Sequence, residues 1–181
     1  DLLKNYELWN EAINLKDSRY LKPDKTAYSQ AKYWRIVSSA YANTGEVVLA
    51  NELLVEMNNL LNDQKAGKIK AGKEAEEKAE KEKKKPIDIK KAKSGAERPY
   101  SSTITVLERG IAETKMYLAL KAVKIEEAKT QYAKVRDFRA ERKALLQLSF
   151  GNQEEAIKLA AAAVKSAPEQ ARPLAAQIYV L

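Results

Sequence analysis

WRIVSSAYANTGEVVLANELL, residues 34–54, is the stretch on which the fold turns. Trp34, Val37, Ser38 and Tyr41 follow one another at three- and four-residue steps, the spacing that lines one face of an α-helix. Gly45 then interrupts, and Val47, Ala50 and Leu54 start a second helical stripe. Glycine between two amphipathic segments tolerates the left-handed backbone that ends one helix and reverses the chain into another. A small residue about one turn into the second helix lets the two backbones approach closely. The reading is an antiparallel helical hairpin.

The same phrase returns along the chain. YELWNEAI at 6–13, TGEVVLANELL at 44–54, VKIEEAKTQY at 123–132 and GNQEEAIKLA at 151–160 align on Ala12, Ala50, Ala128 and Ala156. Two of the four are preceded by a glycine, Gly45 and Gly151, while Val123 stands at that place in the third. Spacing between the marker alanines is uneven, and the longest interval holds a strongly charged segment.

Residues 34–54 match the pattern W-x-x-L-G-x-x-Y, then glycine, then A-x-x-x-F, of the tetratricopeptide repeat. Gly151, Ala156, Ala160, Ala163 and Pro168 match its second half, whereas Ala140, Lys143, Ala144 and Gln147 depart from its first half. The chain therefore resembles a tetratricopeptide repeat protein, best at 31–62, then at 137–168. The resemblance implies an all-α array of antiparallel hairpins winding as an α-α superhelix. It also implies one domain over 1–181, interrupted at 64–99 by a charged insertion or linker. Degenerate repeats with a Lys/Glu-rich insertion are also similar to the helical tails of some large bacterial proteins whose other part is a thioredoxin-like domain. Both ends fall inside the repeat pattern, so continuation in both directions is expected.

Predicted helices lie near 2–16, 26–43, 46–63 (with extension toward 85 left open), 101–122, 125–136, 138–149, 152–166 and 168–181. Asn152 with Glu155, Thr105 with Glu108 and Ser166 with Glu169 have the spacing of capping boxes. No stretch reads as a strand.

Composition narrows the chemistry. The 181 residues contain no cysteine and no histidine, so disulfides, thiolate and imidazole catalysis and the common zinc, copper and haem sites are not expected. No metal and no cofactor is expected, nor any span crossing a membrane. The net charge of +8 is concentrated. Residues 64–98 hold thirteen Lys/Arg and seven Asp/Glu, a local +6, which leaves twenty basic and eighteen acidic residues elsewhere. With only Ile69, Ile87 and Ile89 as large apolar residues, this segment is expected not to order itself against a core, and reads as a solvated helical arm or a loop. Nucleic acid is disfavoured as its ligand: acidic residues interleave the lysines, and no aromatic is available to stack on bases.

Acidic pairs Glu126/Glu127 and Glu154/Glu155 sit in first helical turns, where the helix dipole accounts for them. Trp34 and Tyr41 are expected to pack inside their own hairpin; Trp9 and Tyr33 are less determined. No catalytic residues are expected, and the chain is read as non-enzymatic. The resemblance implies instead a groove lined by the first helix of each hairpin. Carrying its positions over gives Lys32, Arg35, Ser39 and Asn43, then Glu113, Tyr117, Phe138, Glu141 and Leu145. That groove would take a protein or peptide partner, or another domain of the same chain. Helper domain of a thioredoxin-like enzyme, or weak binder of nucleic acid or an anionic surface through the basic insertion, are the alternatives.

Overall fold

The computed structural model describes residues 2–5 and 7–166. Among them the chain is helical, with no strand. The helices are α1 (Leu2–Asn5), α2 (Trp9–Leu15), α3 (Ala27–Thr44), α4 (Val47–Lys81), α5 (Pro86–Lys121), α6 (Ile125–Tyr132), α7 (Ala140–Ser149) and α8 (Gln153–Ser166). The last expected helix, 168–181, and the Ser166–Glu169 capping box lie outside the described residues.

Helix α3 packs against α2, α4 and α5; α5 also packs against α4 and α6; α7 packs against α8. The turns follow local chemistry. Thr26 caps α3 by accepting from the Ser29 N–H at 3.2 Å. Gly45 ends α3 in the left-handed region at φ 91°, and its N–H bonds the Tyr41 carbonyl. Val123 takes the corresponding conformation at φ 58° between α5 and α6, a strained position for a β-branched residue. The expected first helix is in fact two, broken at Glu7 with φ 56°.

Ala12, Ala50, Ala128 and Ala156 are all 0% exposed. The main core runs from Trp9, Ile36, Val37, Ala40 and Tyr41 through Met116 and Tyr117 to Phe138, Leu146 and Phe150. Leu54, Met57 and Leu61 of α4 meet Leu107 and Ile111 of α5 in a second cluster, with Trp34 against its edge. Ala144, Ala156 and Ala160 join α7 to α8 in a third. Gly110 allows a close approach: a Cβ there would lie 2.5 Å from Met57 Cε and 3.1 Å from Arg35 Cβ.

Of the two forms left open for the charged segment, a helical arm or a loop, the structure has the helical arm, ordered by the pairing of two helices with each other. Residues 64–81 continue α4, Pro86 opens α5, and the two helices run antiparallel as one long hairpin. Its seam is built of small residues. Gly72 and Ala79 of α4 are buried, Ala71 and Ala75 half-buried, with Ala92 and Ala96 half-buried on α5. A Cβ on Gly72 would lie 2.5 Å from Glu97 Oε1 and 3.0 Å from its Cγ, so the Glu97 side chain lies directly over this glycine. Cross-helix ion pairs, Lys93–Glu76 at 2.7 Å and Lys65–Glu108 at 2.8 Å, edge the seam. Counting only large apolar residues misses such a seam. Thr105 is no helix cap: it lies inside α5, donating its hydroxyl to the Ser101 carbonyl at 2.9 Å.

Candidate functional site

One face of α3 carries Tyr28, Lys32, Arg35 and Ile36, and one face of α5 carries Val106, Arg109, Glu113 and Tyr117. Three- and four-residue steps align each set, and the α3–α5 packing brings the two together. Lys4 of α1 and the Asp137–Arg139 end of the segment between α6 and α7 close the arrangement. The result is a cleft of about 410 Å³ lined by Lys4, Tyr28, Lys32, Arg35, Arg109 and Asp137, among others.

Beneath it lies a buried ion-pair network. Arg35, 7% exposed, donates Nε–H to Glu113 Oε2 at 2.8 Å and both terminal nitrogens to Asp137, each at 2.7 Å. This two-pronged fit to a carboxylate is specific to the arginine fork. Lys4 Nζ reaches Glu113 Oε2 at 3.1 Å, and Arg109 reaches Asp137 at 3.4 Å. Burial pulls the Arg35 guanidinium down, but the hydrogen bonds to Asp137 and the attraction of Glu113 more than offset it, and the group is held above its ordinary range. The Arg35 hydrogen bonds hold the Asp137 carboxyl well below the usual carboxylate range, against partial burial. Burial lowers the Lys4 ammonium, opposed by Glu113. Glu113 Oε1 and Ser39 Oγ are buried without a hydrogen-bond partner among the described residues.

The nine residues expected to line an open groove divide. Arg35, Ser39, Glu113, Tyr117, Phe138 and Glu141 are buried. Phe138 stacks on Tyr132 with ring centroids 5.7 Å apart, and Glu141 pairs with Arg139 at 3.0 Å. Tyr117 packs against Trp9 at 5.8 Å and accepts a hydrogen bond from Arg142. Asn43 is half-buried, donating to the Ser39 carbonyl at 2.8 Å, and Leu145 is half-buried beside Ala144. Lys32 alone of the nine is exposed, with its ammonium 5.8 Å from the Tyr28 ring. The resemblance placed these side chains along an open groove. What it did not show is that α1, the 133–139 segment and α7 cover most of that groove.

Lys4, Tyr28, Arg109, Asp137 and Arg139 were missed. Arg109 was legible as the residue one turn before Glu113 on the same face. Asp137 and Arg139 lie outside any helix, where no periodicity marks a side chain.

A second enclosed cation is Arg142, 6% exposed, whose guanidinium lies 5.0 Å from the ring centroids of both Trp9 and Tyr117 and pairs with Glu7. Its pKa is lowered by burial, opposed by Glu7 and Glu113. Trp9 and Tyr117 are thereby committed to the interior.

Among the described residues no group of three His, Cys, Asp or Glu is placed to hold a metal ion, and no helix is long and apolar enough to cross a membrane. No family model matches the sequence, and comparison with curated proteins and with solved structures returns no similar protein.

Proposed function

We propose that this chain is a non-catalytic helical-repeat module of the tetratricopeptide kind, presenting a recognition surface to a protein or peptide partner or to another domain of a longer polypeptide. The observation that carries this reading is the cleft bounded by Tyr28, Lys32, Arg109 and Arg139 over the Arg35–Glu113–Asp137 floor. The floor's side chains are already locked by ion pairs, so a ligand meets a wall that needs little ordering on binding. Lys32 and Arg109 stand at the accessible edge, where cations select and orient a partner. Support for the repeat reading comes from the four enclosed alanines and from α5 touching both members of the preceding hairpin, α3 and α4. Such an array builds a long surface from units that contact only their neighbours.

The test is selection from a displayed random-peptide library, followed by titration of the enriched peptides against the parent chain and Lys32→Glu with Arg109→Glu. Enriched peptides are expected to lose at least tenfold in affinity in the double variant, with helix content unchanged. Peptides that bind both proteins equally, or no enrichment at all, would reject this cleft as the recognition surface.

A further inference from the structure

The end of the α4–α5 hairpin departs from the rest of the arm. Between residues 81 and 91 the sequence KEKKKPIDIKK holds six lysines against Glu82 and Asp88, a local +4. Residues 81–87 are all exposed, and the chain reverses through Lys83 at φ 50°. Lys84 pairs with Glu82 at 2.7 Å. Lys81, Lys83, Lys85, Lys90 and Lys91 have no acidic side chain within ion-pairing distance among the described residues. Lower on the arm Lys65, Lys70, Lys73 and Lys93 are paired to glutamates along and across the helices, and only Lys68 and Lys78 lack an ion pair among the described residues. The uncompensated charge is therefore concentrated at the tip.

Distance separates this tip from the body. From Leu61, the last large buried side chain of α4, to Lys81 the helix rises roughly 30 Å at 1.5 Å per residue, several times the ~8 Å over which physiological salt screens charge. The tip thus presents its own field. One large apolar side chain, Ile87, stands 62% exposed among the lysines in the first turn of α5.

We infer that the tip is a docking point for an anionic membrane surface, the lysines meeting acidic lipid headgroups and Ile87 entering the interface. Three features select a lipid surface over nucleic acid. Every cation at the tip is lysine, a hydrated point charge suited to a diffuse anionic layer, rather than the arginine fork that grips individual phosphates and bases. No aromatic residue occurs between Tyr41 and Tyr100, so nothing on the arm can stack on a base. An exposed isoleucine beside a lysine cluster gains nothing from a polar duplex groove but is stabilised at a headgroup boundary.

The experiment measures partition of the whole chain onto vesicles of phosphatidylcholine with and without phosphatidylserine, by co-sedimentation at low and physiological salt. Binding is expected only with phosphatidylserine, and weaker as salt rises. Each lysine near such a surface contributes about fivefold, so Lys83→Gln, Lys84→Gln and Lys85→Gln together should lower partition about a hundredfold. Ile87→Ser, which leaves the charge intact, should lower it about fivefold to tenfold. These side chains are exposed, so circular dichroism should be unchanged. Equal partition of the triple variant and the parent, or binding to duplex DNA or single-stranded RNA in place of vesicles, would overturn the assignment.

Discussion

Replacing Arg35 by methionine tests the network beneath the cleft. Methionine keeps the unbranched stem that packs beside Gly110 but removes the guanidinium. Glu113, 0% exposed, would keep Lys4 as its remaining ion pair, at 3.1 Å on the oxygen that Arg35 also uses, with only the more distant attraction of Arg142 besides. Its other oxygen has no partner among the described residues. Asp137 is a third exposed and would recover water on losing its two bonds, so most of the cost falls on Glu113. Breaking a buried pair from one side costs about 3–5 kcal/mol, and the lower half of that range applies because Lys4 remains. Arg35→Met with Glu113→Leu and Lys4→Met removes the carboxylate together with both cations that face it and should recover about 1–3 kcal/mol relative to Arg35→Met alone. Urea unfolding followed by far-ultraviolet circular dichroism gives the free energies of the single and combined variants. A cost under about 1 kcal/mol for Arg35→Met, or strictly additive single costs, would refute a coupled buried network.

Other expectations follow from the same geometry. The Asp137 carboxyl has a folded-state pKa below its unfolded value, so its contribution to stability is complete above about pH 4 and is lost as pH falls toward the lower folded-state value. Asp137→Asn should be less stable than the parent at neutral pH, and the gap should narrow on acidification below about pH 4; a gap that stays constant in acid melts would contradict this. Val123→Gly relieves a left-handed β-branched residue that is 78% exposed, and should raise stability by about 1 kcal/mol in a thermal melt, whereas a loss would show that the φ of 58° is not strained. Ala79→Leu enlarges a seam residue that is 1% exposed and should cost about 1–3 kcal/mol, with faster amide exchange across residues 64–99; unchanged exchange would mean the seam does not hold the arm.

The elements best read from sequence were those whose signal is local. Gly45 marked a reversal because its backbone needs a left-handed turn, whereas the start of α5 at Pro86 was not read from sequence, which placed that helix only from 101, although proline at a first helical position has no N–H to leave unpaired. The four alanines were legible because a small residue recurring at one helical position has few other uses. Val123 hid its turn, since nothing about valine announces positive φ, yet its alignment with Gly45 and Gly151 was visible. The arm was half legible: glutamate–lysine spacing indicated helix, but the pairing of two helices rests on Gly72, Ala79, Ala92 and Ala96, which a search for large apolar residues passes over.

The site was harder for a different reason. The resemblance put Arg35 and Glu113 along one groove, but their contact joins residues far apart in sequence, and Asp137 comes from a segment with no regular pattern. Exposure was equally hidden. Tyr117, Phe138 and Glu141 occupy positions that would face a ligand in an open array, and are covered by neighbouring elements here. Lys32 and Arg109 are left to meet a partner because they stand at the rim of the same helical faces.

Close seating of helices at Ala12, Ala50, Ala128 and Ala156 underlies both the array and its cleft, and unfolding free energies measure it. Each of the four changed singly to leucine must push two helices apart and should cost about 1–3 kcal/mol in urea titration, while Ala161→Leu on the exposed face of α8 should stay within about 0.5 kcal/mol of the parent. Four substitutions as silent as Ala161→Leu would contradict the packing on which the array, and the cleft built upon it, depend.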